Sequence, residues 1–398
     1  MFRLDNPVRR YEWGSRSAIQ AMLGLPAEVR PMAELWIGAH PDSPSRAVPG
    51  GHRLDALIAE RPGAMLGDRP WAGAGPGARL GFLAKILAAA APLSLQVHPD
   101  GDQARSGCAA EDARGLAPED PARRYRDRGG KPELLYALTS FEALAGLRPP
   151  GESARLVEAL GVGGLRPLVE RLDGAADHRA AFEWLFDCRE AGADWTAELG
   201  AAAGAVGADS GAGAERGAGA AFGAVRKLAA LYPGDPTGIV PLLLNCVTLA
   251  AGEALFIPAR TFHAYLGGVG IELMAESDNV LRAGLTPKLV DPAEVARVAN
   301  FEPAEPRLLA GGPGPEGAGW TRFHAPGCGF GLSAGTVAPG NPAVVEGPGP
   351  RLVGCLDGAI RLAGASGELA LEGLAAAFVS HAAGAVRLTG EGRAFVAR

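Results

Sequence analysis

Residues 93–98 alternate apolar and polar side chains, as a strand that lines a cavity would. In a strand, positions i and i+2 point to the same face, so the side chains of Ser94, Gln96 and His98 should share one face. Pro99 cannot donate to a ladder and should end the strand. The pattern fits an ordinary surface strand or a cavity wall that offers an amide and an imidazole two residues apart.

A second histidine follows a strand and a proline turn. The spacing of Gly252, Pro258 and His263 resembles the second sequence motif of the cupin superfamily. That motif usually has a glycine two residues after the proline, where this chain has Arg260. The strand at 93–98 resembles the first cupin motif, which carries two metal ligands at i and i+2.

A carboxylate in a third segment could complete a metal site. Lys131 and Glu133 flank a proline, which fixes the backbone there. Together with Gln96, His98 and His263, Glu133 would give a mixed set of nitrogen and oxygen ligands. Such a set suits zinc, and also manganese, iron, cobalt or nickel. Alone, the Lys131–Glu133 pair could equally be a surface ion pair.

A fourth segment, residues 270–288, carries several charges after a strand-like start. These charged residues are Glu272, Glu276, Asp278, Arg282 and Lys288. A solvated loop would also be charged, but Arg282 and Lys288 could bind a phosphate or an oxyanion.

Together the four segments resemble the type I phosphomannose isomerases, a family of zinc-dependent cupins. The resembling segments are residues 11–14, 33–38, 92–99, 131–134, 252–265 and 277–288. The last, with 131–134 and 252–265, is specific in combination and in this order. The resemblance implies one zinc ion per chain, with other divalent metals possible. Its implied ligands are Gln96, His98, Glu133 and His263.

The resemblance also implies a reaction, the interconversion of mannose 6-phosphate and fructose 6-phosphate through a cis-enediol. It makes Arg282 catalytic, and we expect this fixed charge to stabilise the enediolate or to relay a proton with Asp278. Lys131 or Glu272 is the expected proton shuttle. The remaining residues expected at the substrate are Trp13, Ser94 and Lys288, the last two as phosphate anchors.

Two positions depart from the family pattern. The family usually has a histidine where this chain has Gly130, and that histidine is considered a helper in ring opening. Ring opening would then fall to another group. Arg260, in place of the usual glycine, is expected to narrow the mouth of the pocket.

Two other functions fit parts of the pattern. A non-catalytic sugar-phosphate-binding cupin would keep the pocket without turnover, and the loss of the histidine at Gly130 favours it. A cupin iron oxygenase could use His98, Glu133 and His263 as its two-histidine, one-carboxylate face. The amide of Gln96 would fill a position that oxygen chemistry needs open, so the isomerase is favoured over the oxygenase.

The elements that must position these residues fall into three zones. Period-two runs predict strands before residue 149 and after residue 239, with a helix at 54–60. The spacing of apolar residues between 153 and 231 predicts helices. Within that block, residues 200–223 are rich in Ala and Gly and are expected to form a flexible loop.

The expected fold is therefore mainly β with an α-helical insertion. With the resemblance, it becomes a jelly-roll cupin domain, a helical domain and a second, C-terminal jelly-roll-like domain. The expected boundaries are 1–148 and 237–305 for the two parts of the catalytic domain, 149–236 for the helical insertion, and 306–398 for the C-terminal domain.

Composition excludes several classes of protein. The 398 residues carry 38 basic and 44 acidic side chains, a net charge of −6, which argues against a nucleic-acid or membrane-surface partner. No run approaches the ~18 apolar residues of a membrane helix. The five cysteines form no CxxC pair, which favours a reducing, cytoplasmic location. The oligomeric state stays open, with a monomer favoured.

Overall fold

The computed structural model describes residues 1–67, 78–173, 178–209 and 217–398. Up to residue 149 it contains short strands and helices. The strands are β1 (Phe2–Asp5), β2 (Val8–Arg9), β3 (Glu34–Ile37), β4 (Arg46–Val48), β5 (His52–Arg53), β6 (Phe82–Ala89), β7 (Leu95–Val97), β8 (Glu133–Ala137) and β9 (Phe141–Leu147). The helices are α1 (Ala18–Met22), α2 (Leu54–Glu60), α3 (Pro62–Leu66) and α4 (Gly101–Ala113). The predicted helix at 54–60 is thus confirmed.

The predicted helical block is also confirmed. Its helices are α5 (Pro150–Ala159), α6 (Arg166–Leu172), α7 (His178–Ala191), α8 (Thr196–Asp209) and α9 (Ala218–Leu231). Short 3-10 turns lie at Gly163–Leu165 and Pro236–Leu242.

Helices α8 and α9 show that the predicted loop at 200–223 was wrong over the residues that the structure describes. Alanine has the highest helix propensity, and its small side chain lets two helices approach closely. Leu199 and Ala203 of α8 are buried, as are Phe222 and Val225 of α9, and the two helices pack together. The central part of that prediction, residues 210–216, lies outside the described residues.

Strands return after the helical block. They are β10 (Leu244–Leu249), β11 (Ala254–Ile257), β12 (His263–Ala275) and β13 (Leu281–Gly284), followed by helix α10 (Pro292–Val298). The C-terminal strands are β14 (Arg307–Leu309), β15 (Gly312–Pro313), β16 (Trp320–His324), β17 (Gly331–Val337), β18 (Ala343–Val345), β19 (Arg351–Cys355), β20 (Ala359–Gly364), β21 (Gly367–Glu372), β22 (Ala376–Val379) and β23 (Val386–Ala397). The predicted class, mainly β with a helical region, is confirmed.

The strands form two large sheets. The first sheet has the order β14-β11-β8-β12-β6-β3-β2, with β7, β9, β10 and β13 attached. The second sheet has the order β15-β16-β17-β23-β19-β22-β1-β4-β5, with β18, β20 and β21 attached. Strand β1 thus pairs with β22, and Phe2 lies opposite Phe378. The predicted four-part division of the chain stays a prediction.

The predicted site residues lie mainly on the first sheet. Strand β12 lies between β6 and β8 over residues 270–274, and its first residue, His263, lies opposite Gln96 of β7. None of the helices in the described ranges combines the length and the apolar character of a transmembrane segment.

Candidate metal centre and active-site pocket

A cavity of about 1090 Å³ opens at the junction of β7, β8, β12 and β13. Of the predicted site residues, those that line it are Trp13, Ser94, Gln96, Lys131, Glu133, His263, Glu272, Asp278, Arg282 and Lys288. His98 is buried beside Glu133. The structure therefore brings together residues from segments far apart in the chain.

His98, Glu133 and His263 form a compact buried group. The Nε2 atom of His98 lies 3.2 Å from Oε1 of Glu133, and Nε2 of His263 lies 3.5 Å from Oε2. All three ligand atoms lie within 4.8 Å of one another. They are positioned by the end of β7, the start of β8 and the start of β12, so strand pairing holds the group in place.

The hydrogen bonds of the two histidines fix their tautomers. Nδ1 of His98 lies 2.9 Å from the carbonyl oxygen of Asn279, and Nδ1 of His263 lies 2.9 Å from that of Thr261. A carbonyl oxygen can only accept, so each Nδ1 donates its hydrogen, and in the neutral form of each ring Nε2 carries a lone pair. Both lone pairs face the carboxylate of Glu133, and Nε2 of His98 has no hydrogen-bond donor among the described residues.

This arrangement of acceptors fits a metal ion. In this form the two imidazoles and the carboxylate present lone pairs to one another, and a cation between them would offset their repulsion. Imidazoles oriented by an Nδ1–H bond to a carbonyl are typical metal ligands, and a His, His, carboxylate set suits zinc.

The charges in the group agree with that assignment. Burial, with the positive charge of Lys131, lowers the pKa of His98 to about 3 and keeps the imidazole neutral, as metal binding requires. Burial acts to raise the pKa of Glu133, but Lys131 and the histidines hold that pKa well below its usual range. Nζ of Lys131 is 3.1 Å from Oε1 of Glu133.

Gln96 lies next to this group through two strand pairings. It is opposite His263 in β12 and opposite Arg282 in β13. Its amide nitrogen donates to Oγ of Ser94 at 3.2 Å, which leaves the amide oxygen as the atom suited to bind a cation.

A buried ion network forms part of the cavity wall. Nζ of Lys85 is 2.8 Å from Oε2 of Glu272, which lies directly opposite in β12, and 3.5 Å from Oε1 of Glu34. Nε1 of Trp36 donates to Glu34 at 2.7 Å. Burial raises the pKa of Glu272 even though Lys85 opposes the shift. Sequence reasoning did not assign this network, although one signal was visible: Lys85 interrupts an apolar strand and is one of only four lysines.

Arg282 and Lys288 form a pair of cations in the pocket. Neither has an acidic partner among the residues that the structure describes. The charge of Arg282, and then burial, lowers the pKa of Lys288, and burial lowers the pKa of Arg282. Two neighbouring positive groups without a counter-charge fit an anionic ligand such as a phosphate.

The two departures from the family pattern both lie near the start of α4. A Cβ atom on Gly130 would lie 2.7 Å from the amide nitrogen of Gly101 and 2.9 Å from the carbonyl carbon of Asp100, so no side chain fits there. Arg260 has φ 71°, a conformation that favours glycine. Its Nε donates to the carbonyl of Val298 at 3.1 Å. Because Arg260 does not line the cavity, the expectation that it narrows the mouth was wrong.

One further residue beside the pocket was not among the predicted site residues. Nε2 of His40 lies 3.3 Å from Oδ2 of Asp278, and the His40 ring is buried.

These features are those of a metal-dependent enzyme built on antiparallel β-sheet. Residues 1–150 match a family described as phosphomannose isomerase type I, catalytic domain. The mannose-6-phosphate isomerase of Salmonella typhimurium is 37% identical over 322 residues, which are 80% of this chain and 79% of the relative. That of Escherichia coli is 34% identical over 398 residues, which are 99% of this chain and 98% of the relative.

Solved structures agree. A crystal structure of a mannose 6-phosphate isomerase bound with zinc and yttrium superimposes with a TM-score of 0.86 at 33% identity, and the match covers 100% of this chain and 98% of that chain. The chain therefore belongs to the type I phosphomannose isomerases, as the sequence resemblance indicated.

Proposed function

We propose that the chain interconverts mannose 6-phosphate and fructose 6-phosphate with a zinc ion held by Gln96, His98, Glu133 and His263. One observation carries the proposal: the Nε2 atoms of His98 and His263 face the buried carboxylate of Glu133. The same cavity holds two cations, Arg282 and Lys288, that have no acidic partner among the described residues. Other divalent metals could bind the same donor atoms.

Bound at this position, zinc would supply Lewis-acid stabilisation of charge on sugar oxygens. The chain's own residues have separate tasks. Glu133 and the two histidines hold their lone pairs toward one point. The Nδ1–H bonds to Asn279 and Thr261 keep the imidazoles from turning away.

The proton that moves between C2 and C1 needs a group in the cavity wall that can accept and return it. Lys131 and Glu272 both line the cavity and are both buried. The raised pKa of Glu272 suits a carboxyl group that must both gain and lose a proton during the reaction. Lys131 is the alternative shuttle.

The other side chains of the cavity bind the substrate and stabilise charge that develops on it. Arg282 presents a fixed charge to the enediolate or relays a proton with Asp278, because a guanidinium does not readily act as a base. Lys288 and Ser94 anchor the phosphate. Trp13, whose ring stacks on Tyr11 at a centroid distance of 5.5 Å, offers the sugar an apolar wall.

We also propose how the chain divides into domains. Residues 1–148 and 237–305 would form the cupin jelly roll, residues 149–236 the helical insertion, and residues 306–398 a second jelly-roll-like domain. The confinement of α5–α9 to the middle of the chain supports this division. The pairing of β1 with β22 and of β14 with β11 means that the two β regions exchange strands.

The five cysteines form no disulfide in the structure, which supports a reducing, cytoplasmic location.

The family to which the chain belongs favours the isomerase over the two alternative functions, the non-catalytic cupin and the iron oxygenase. A monomer stays the predicted oligomeric state, and light scattering of the purified protein would check it.

A coupled assay tests the proposed function directly. Mannose 6-phosphate turnover is measured on metal-loaded protein, after chelation, and after zinc is restored, with bound metal quantified in each sample. We expect about one zinc per chain, loss of turnover with chelator, and recovery with zinc. Full turnover in a sample without bound metal would contradict the metal assignment. Bound metal without turnover would favour the non-catalytic alternative.

A further inference from the structure

His40 lies three residues after the end of strand β3 and is 2% exposed. Its Nδ1 accepts the backbone N–H of Asp42 at 3.3 Å, so the ring hydrogen must be on Nε2. That Nε2 lies 3.3 Å from Oδ2 of Asp278, within hydrogen-bond distance of the carboxylate. The edge of the His40 ring packs against Trp36 at a centroid distance of 5.0 Å and an interplanar angle of 79°. Tautomer and ring orientation are therefore both fixed.

Asp278 lies between His40 and the cavity. Its carboxylate lines the cavity, and its side chain is 38% exposed. Within the described residues, His40 is the hydrogen-bond donor that the structure gives this carboxylate. The backbone N–H of Asp278 donates to Oδ2 of Asp127 at 2.7 Å, which anchors the main chain but leaves the side chain free to turn. The orientation of the carboxylate thus depends on a single side chain.

We propose that His40 is a positioning residue for the isomerisation, holding the Asp278 carboxylate in one orientation at the cavity wall. This role rests on the function proposed above for Asp278. A group that exchanges protons with the substrate must meet it at hydrogen-bond distance and in the right direction, so a carboxylate free to rotate is a poorer participant. His40 does not line the cavity and acts only through Asp278.

The same atoms could be taken for a second metal site, because donor atoms of His40, Asp42 and Asp278 lie within 4.8 Å of one another. The hydrogen bonds favour positioning instead. Nδ1 of His40 is already occupied by the amide of Asp42, and Nε2 carries the hydrogen donated to Asp278. Unlike the buried group around Glu133, this cluster leaves no orphaned lone pair.

The first experiment measures steady-state kinetics on zinc-loaded His40→Phe and His40→Gln. Phenylalanine keeps the ring packed on Trp36 but has no donor, whereas the glutamine amide can still donate to Asp278. We expect His40→Phe to lower kcat about 10–100-fold, the scale of lost outer hydrogen bonds at functional groups, with little change in KM. His40→Gln should recover part of the loss. His52→Phe, the same change at an exposed histidine of β5, should leave kcat unchanged.

A double-mutant cycle supplies the decisive comparison. In an Asp278→Asn background, His40→Phe should cause no further loss, because the group that it positions is already inactive. Independent, additive losses would overturn the role of His40. So would a His40→Gln variant that melts like wild type yet is as slow as His40→Phe. Should His40→Phe fail to fold, the double-mutant cycle is measured with His40→Gln and Asp278→Asn.

Two further outcomes distinguish a failure of the positioning role of His40 from a failure of the function proposed for Asp278. Full activity of Asp278→Asn would remove Asp278 from the proposed function, and the positioning role with it. A drop in bound metal per chain in His40→Gln or His40→Phe, relative to wild type, would make His40 a ligand and overturn the positioning role while leaving Asp278 in place. Unchanged metal content supports positioning.

Discussion

The two sheets of this protein are both built from antiparallel pairs but differ in the side chains that face each other at two buried strand pairings. In the first sheet Lys85 lies opposite Glu272 across β6 and β12. In the second sheet Val353 lies opposite Val396 across β19 and β23. Both positions are buried. The difference shows that the site is made by the residues at inward positions of the strands, and that the sheet itself only fixes their spacing.

The difference also has an energetic side. Buried charges such as Lys85 must be paired, and removing one partner of a buried pair typically costs about 3–5 kcal/mol. Apolar positions such as Leu362 in the second sheet stabilise the fold through burial alone, about 1.5–3 kcal/mol for each fully buried side chain. We infer that the second sheet supplies stability while the first gives up some of it for chemistry. Substitutions at five positions can break or sharpen this contrast.

The largest expected effect is that of His263→Ala in the first sheet. Removing one of two imidazoles leaves too few ligands to hold zinc at low concentration, so turnover should be lost. In wild type, zinc at about a thousand times its Kd should stabilise the fold by roughly 4 kcal/mol, and the variant should show no such shift. His324→Ala, at an exposed histidine of the second sheet, is the matched control. A His263→Ala protein with wild-type turnover would remove this residue from the metal site.

Arg282→Ala comes next. If the guanidinium stabilises charge that develops in the transition state, kcat should fall about 10²–10³-fold with little change in KM. Arg282→Lys should recover little, because an ammonium lacks the planar fork. Lys288→Ala should chiefly raise KM, since the phosphate is bound in the ground and transition states alike. If Lys288→Ala lowered kcat alone and Arg282→Ala raised KM alone, the two roles would be reversed.

Gln96→Ala tests the fourth ligand. Two histidines and Glu133 would remain, so zinc should still bind but more weakly. Loss of an outer partner of a metal ligand costs about 10–100-fold in affinity, and loss of a direct ligand should cost at least that much. Competition with a chelator of known affinity measures the change. Unaltered zinc affinity would make Gln96 a wall residue and leave a three-residue ligand set.

The smallest expected effect on turnover is that of Leu362→Ala in the second sheet. The side chain is fully buried, so its truncation should cost about 2–5 kcal/mol of unfolding free energy. The kcat of the folded enzyme should not change, because Leu362 touches no part of the cavity. Denaturant unfolding and kinetics on the same preparation check both expectations. A fall in kcat at full folding would show that the two sheets are coupled.

Much of the site could be predicted from the sequence, because its residues occur in short motifs. Gln96 and His98 share a strand face, and Glu133 and His263 occupy positions that the motifs define. The network of Lys85 with Glu34 and Glu272 could not be predicted in this way. It depends on the register of three strands, and a strand pattern does not name its partner.

The fold shows the same limit. Period and composition predicted strands, then helices, then strands. They failed for α8, where alanine-rich sequence suggested too little buried surface, because Leu199 and Ala203 find their partners on α9. His40 was missed for a related reason. Its link to Asp278 joins residues more than 200 positions apart, and nothing in the sequence near His40 indicates it.

The pairing of β1 with β22 has a consequence for the order of events on the ribosome. Phe2 emerges early, but its partner Phe378 is made some 370 residues later. At about 5–20 residues per second, translation of that interval takes roughly 20–70 s. Until then β1 has one unpaired edge, and such an edge is a template for pairing with another nascent chain. Slower synthesis would lengthen the time for which this edge of β1 is exposed. The yield of native protein should therefore depend on how well the edge is shielded during translation.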